Sequence, residues 1–229
     1  MLRKSERQTP SAITAQLVIA ALLATTAMGC TQKAGAAVLS CPNIDKIQQV
    51  FLNQHISGTD PDAVFEGRLV EQYIKRMDGA KIYLLESDVA DIKKDMKGIF
   101  AQLKKGECGP LDKVQDLFVK RVQDRSDYAK KTLTAKNFKF DQKTELMLDP
   151  DARSFPKTKA EADTFQGKYL QFQISNYIAT GMTQKEAQDK VVRNYERVVK
   201  RIKETSKEDL YSGYLDSFGR AKDPHSSYF

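Results

Sequence analysis

The 229-residue chain has no tryptophan, only two histidines and only three cysteines. His55 and His225 stand far apart in sequence, and no two cysteines sit at ligand spacing. Zinc binding and imidazole-based acid–base chemistry are therefore argued against from the outset. No stretch alternates apolar and polar residues long enough to read as a half-buried strand, and there is no internal repeat or low-complexity tract. No residue is assigned a catalytic, cofactor-binding or metal-binding role, and no cofactor is expected.

What is present begins with a leader. Arg3, Lys4 and Arg7 precede an apolar run centred on Leu17 to Ala24, which closes on Ala27, Met28, Gly29 and Cys30. This is the three-part layout of an export signal. The apolar core falls short of the roughly 20 residues that cross a bilayer. A Gly-Cys pair at its end suggests a bacterial lipobox with Cys30 as the lipidated first mature residue, although Ala27 and Met28 depart from the usual residues. Cleavage after Ala34-Gly35-Ala36 is the alternative, giving a soluble product in the same compartment. The expected organisation is a lipoprotein-type signal over residues 1–29, a tether over 30–40 and a helical domain over 41–229. The expected location is the periplasm, lipid-anchored to the envelope membrane or else soluble.

Cys41 and Cys108 are the cysteines left beside the proposed anchor. In an oxidising compartment an even pair most simply forms one disulfide, here tying the first helix to a loop after the third. Two reduced, buried thiols are the alternative, since sequence does not set the distance between the two Cα atoms.

The net charge is +7, of which Arg3, Lys4 and Arg7 against Glu6 supply +2, so removal of residues 1–29 leaves +5. Basic residues alternate with acidic ones instead of clustering with aromatics, which speaks against a nucleic-acid partner. A solvated helix surface is the better reading.

Apolar residues recur at helical spacing in Ile44, Ile47, Phe51; in Phe65, Leu69, Tyr73, Met77; in Val89, Ile92, Met96, Ile99, Leu103; and in Leu111, Val114, Phe118, Val122. A further stripe runs Ala187, Val191, Tyr195, Val198, Ile202 within a helix over about Glu186 to Lys203. Helix starts are expected at Asp60-Pro61, at Ser87, and at the boxes Thr158-x-x-Glu161, Thr183-x-x-Glu186 and Ser206-x-x-Asp209. Gly79, Gly98 or Gly106, and Gly109-Pro110 interrupt the pattern. Asp149-Pro150 and Phe155-Pro156 bracket a loop, the expected seam between two helical groups. The fold class is all-α: a bundle of about six to eight helices, in one domain or two abutting lobes.

Other features take structural readings. His55 reads as a packed or hydrogen-bonded residue at a helix end, with a binding-site role as the alternative. Asp223 to Ser227 reads as a rigid turn leaving the last helix, and Ser226 and Ser227 beside His225 supply no triad geometry. The run from Lys120 to Lys131 reads as a solvent face with ion pairs, or else as a docking face. Phe138, Phe140 and the trio Leu146, Met147, Leu148 read as apolar anchors of an extended segment.

Two blocks carry a family resemblance. Leu210 to Lys222 followed by Asp223-Pro-His-Ser-Ser-Tyr-Phe229 resembles the junction at which tail-specific (carboxy-terminal processing, S41) serine proteases pass from a helical N-terminal region to a PDZ domain. His55-Ile-Ser-Gly-Thr-Asp-Pro61 and Arg68 to Val89 resemble the same family's opening block. The resemblance spans most of Cys41 to Phe229. It implies a helical N-terminal region that flanks a PDZ domain and a protease core whose Ser/Lys dyad lies beyond the positions of this chain. The implied role is scaffolding and recruitment for processing and degradation of envelope proteins. Implied partners are the chain's own PDZ and protease domains, protein substrates with free C-terminal tails, a lipoprotein adaptor, and the membrane through the lipid anchor. A free-standing lipoprotein interaction module without protease activity, or an unrelated envelope structural protein, are the alternatives.

Overall fold

The computed structural model describes residues 38–55 and 61–228. The signal over residues 1–29, Cys30, residues 31–37 of the tether and the Asp60 cap lie outside the described residues. The described residues form eight helices and no strand: α1 (Cys41–Gln54), α2 (Ala63–Asp78), α3 (Glu86–Asp95), α4 (Ile99–Lys104), α5 (Gly109–Leu133), α6 (Lys159–Ala179), α7 (Gln184–Lys203) and α8 (Lys207–Lys222).

Local chemistry sets the helix starts. Thr183 Oγ1 accepts the Glu186 N–H while Glu186 accepts the Thr183 N–H at 2.8 Å, and Ser206 and Asp209 exchange the same pair of bonds. Both boxes satisfy amides that would otherwise lack a partner. The Thr158 box is displaced by one residue at its return bond: Thr158 caps Glu161, but Glu161 reaches back to the Lys157 N–H. Two expected starts move. Asp62 caps α2 by accepting the Phe65 N–H at 2.7 Å, and α3 begins at Glu86, with Asp88 accepting the Leu85 N–H in place of a Ser87 cap.

The interruptions also resolve differently. Gly98, at φ +73°, breaks the stripe from Val89 to Leu103 into α3 and α4, a backbone state that only glycine adopts without cost. Gly109-Pro110 opens α5, where a missing N–H costs nothing.

Two apolar clusters form the interior. The first gathers Ile44, Phe65, Leu69, Ile92, Met96, Leu111, Phe118, Tyr214 and Phe218 from α1 to α5 and α8. The second gathers Ala129, Leu133, Leu170, Ile174, Ala187, Val191 and Tyr195 from the end of α5, α6 and α7. The 25-residue α5 runs through both, packing chiefly on α7, while α2 packs chiefly on α8. Cys41 and Cys108 are bonded, with Cα atoms 6.0 Å apart, and so fasten the start of α1 to the N-cap of α5, after the fourth helix instead of the third.

The Asp149–Pro156 loop is a strap and not a seam. Lys81 Nζ donates to the carbonyls of Pro150 and Arg153, Arg153 donates to the Ala80 carbonyl, and the Glu86 N–H donates to the Pro156 carbonyl. The Arg153 guanidinium also lies 4.1 Å from the Phe165 ring centroid, within cation–π range. Of the expected apolar anchors, Phe138 and Phe140 pack against the second cluster, but Met147 and Leu148 are 58% and 46% exposed.

The charged run of α5 is only partly a solvent face. Arg125 and Ser126 are buried, and Arg125 pairs with Asp163 at 2.7 Å. Arg121 engages buried Asp88 through two nitrogens at 2.7 and 2.8 Å, a geometry that lysine cannot reproduce. These pairs lock α5 to α3 and α6. Removing one partner of such a largely buried pair costs about 3 kcal/mol, because the other charge is stranded.

Candidate functional site

Chemistry-bearing side chains gather where α2 crosses α8. Gly213 leaves α8 without a side chain there, and Arg76 lies across the gap: a Cβ on Gly213 would sit 3.0 Å from Arg76 Nε. Arg76 thereby reaches Asp216, one turn further along α8, at 2.6 Å. The same carboxylate oxygen accepts Arg220 Nε at 3.0 Å, and the other accepts the backbone N–H of Tyr228 at 3.3 Å. Asp216 is 6% exposed, and these bonds offset the cost of burying a carboxylate.

The turn beyond α8 is held by a second aspartate. Asp223 accepts the His225 N–H at 3.1 Å and the Ser226 hydroxyl at 3.0 Å, and the Ser226 N–H closes the turn on the Asp223 carbonyl. Those two bonds, helped by the field of His225 and His55, hold the Asp223 carboxyl below its usual range. His55 itself caps α1, its N–H on the Phe51 carbonyl and its ring 5.5 Å from that of Phe51. The Ser226 hydroxyl donates to Asp223, whose carboxyl is held below its usual range and is thus a weak base. Among the described residues no group of three or more His, Cys, Asp or Glu side chains is placed to hold a metal.

Beside this junction a groove of about 720 Å³ runs between α2, α5, α7 and α8. Tyr73, Tyr83 and Phe118 line its apolar part. Burial pushes the Tyr83 phenol up to about 12 and raises that of Tyr73 further, so both stay neutral at physiological pH. Arg76, Arg197, Lys200 and Arg201 line the basic part. The two acids present are engaged, Asp209 in the α8 capping box and Glu204 with Lys200 at 3.9 Å.

Sequence reasoning missed Arg76, Gly213 and Asp216. The i,i+4 spacing of Asp216 and Arg220 was a usable signal, but Arg76 is 140 residues from Asp216, beyond any local pattern.

Among the described residues no helix is long and apolar enough to cross a membrane. A family model described as the tail specific protease N-terminal domain matches residues 47–229. A tail-specific protease of Haemophilus influenzae is 25% identical over 168 residues, covering 73% of this chain and 24% of that protein. The chain thus spans about a quarter of the length of that relative.

Proposed function

From the premise that the chain belongs to the tail-specific protease N-terminal domain family, we propose that it is the non-catalytic helical portion of an exported carboxy-terminal processing serine endopeptidase. In this reading it scaffolds PDZ and protease domains and recruits substrates or an adaptor for processing and degradation of envelope proteins. The observation that carries the reading is the Asp216 junction. A buried carboxylate bonded to the Tyr228 N–H fixes the direction in which residues 223–228 run off the last helix, as a scaffold aiming a following domain requires.

The leader supports export, and Gly29-Cys30 supports a lipid anchor at Cys30 facing the periplasm. A lone acyl anchor holds a protein only marginally, so stable attachment needs a diacylated cysteine or a second contact. Residues 30–40 would then serve as the tether to the bundle over 41–229.

The test is peptidase activity. The purified chain should leave an unstructured substrate with a free apolar C terminus intact, while the product of any frame that continues into PDZ and Ser/Lys-bearing domains should cleave it. Serine-type cleavage by the clean chain alone overturns the assignment. A gene product lacking those domains favours the free-standing interaction module instead.

A further inference from the structure

We propose that the groove between α2, α5, α7 and α8 docks an acidic, extended segment of a partner protein. This rests on the recruiting role proposed above and names its chemistry.

Charge complementarity carries the proposal. Arg197 and Arg201 are one helical turn apart on α7, both exposed and both on the groove. Among the described residues neither has a carboxylate within ion-pair distance, whereas Arg76, Lys200 and Lys207 each have one. Two guanidiniums are thus left at the edge of a cleft whose own acids already have partners, Asp209 in the α8 capping box and Glu204 with Lys200. Guanidinium is weakly hydrated and binds carboxylate through two parallel bonds, so it suits a desolvated acidic ligand better than an ammonium group does.

The floor supplies the second half of the recognition. Met77, Tyr83, Val198 and Ile202 line the groove and are only partly buried, above the buried rings of Tyr73 and Phe118. The volume lies within the roughly 300–1,000 Å³ typical of ligand clefts. A peptide alternating acidic and aliphatic residues would place carboxylates on Arg197 and Arg201 and aliphatic groups on this apolar floor. A membrane surface meets a protein on its projecting faces, and this apolar floor is recessed. That favours a peptide over lipid headgroups.

The probe is a fluorescein-labelled decapeptide of alternating Glu and Leu, amidated at its C terminus so that no free tail contributes, titrated with the purified full chain while anisotropy is read. Saturable binding is expected. Arg197→Ser with Arg201→Ser should weaken it at least about tenfold, whereas the charge-matched pair Lys93→Ser with Lys94→Ser on α3 should leave it unchanged. All four positions are exposed, and circular dichroism checks that each variant folds. Absence of saturable binding, equal loss in both double variants, or Arg-dependent binding to vesicles of anionic lipid without binding to the peptide would each overturn the proposal. A chain that binds no peptide and cleaves no substrate leaves the scaffold reading standing and removes the groove assignment alone.

Discussion

Arg76 crosses from α2 to α8 and meets the nearly buried carboxylate of Asp216 at 2.6 Å, passing over a glycine that leaves room for it. One ion pair therefore joins the two most extensively packed helices of the first cluster to the segment leaving the bundle.

Replacing Asp216 by Ala should lower stability by about 2 kcal/mol, since it strands the Tyr228 N–H and two half-exposed guanidiniums. For a domain of this size the thermal midpoint should fall by about 4–8 °C. Amide exchange at Tyr228 should accelerate in the same variant. An unchanged exchange rate would mean that the aspartate does not hold the exit segment.

Two helical glycines should answer differently to alanine. Gly67 on α2 has open space around it, and Gly67→Ala should stabilise by about 1 kcal/mol through helix propensity. Gly213→Ala should gain nothing or lose stability, because its Cβ displaces Arg76 from Asp216. Denaturant midpoints of the two variants decide this, and equal gains would show that Arg76 shifts freely.

The bond between Cys41 and Cys108 closes a separation of 67 residues. By loop-closure entropy its reduction should cost about 4 kcal/mol. Thermal melts with and without reductant should differ by about 8–16 °C. Denatured, unreduced protein lacking Cys30 should show no free thiol, and full labelling at both positions would remove the bridge.

Asp163 gives the fold an acid-sensitive contact. Burial disfavours its charged form, but hydrogen bonds from Lys159 and Arg125 outweigh that cost and hold the carboxyl below its ordinary value of 3.8. Its folded-state pKa is thus depressed. The contribution is complete above the unfolded value and is lost as pH falls through the folded one. The stability difference between the native chain and Asp163→Asn should be constant above about pH 4–5 and shrink below it. A difference that grows on acidification would contradict the assignment.

Much of the fold was legible because its signals are local. Thr183 with Glu186 and Ser206 with Asp209 announce their helices within four residues, and the stripe from Ala187 to Ile202 marks one buried face. The boundaries misread were those set by competing neighbours. Asp62 took the cap assigned to Asp60, and Asp88 served Leu85 and Arg121 at once. The strap from Pro150 to Pro156 reads as a linker, since its partners Ala80, Lys81 and Glu86 lie about 70 residues earlier. The Asp216 junction and the groove were hidden for the same reason, being built from pairs that only tertiary packing brings together.

The central claim is that this bundle works as one part of a longer protease. An antibody raised against residues 63–228, applied to a blot of envelope proteins from the source cells, measures it directly. The account predicts a species several times heavier than the 25.8 kDa of this chain, in line with a match covering 24% of the relative. A single species near 25.8 kDa, or slightly below it after leader removal, would contradict it.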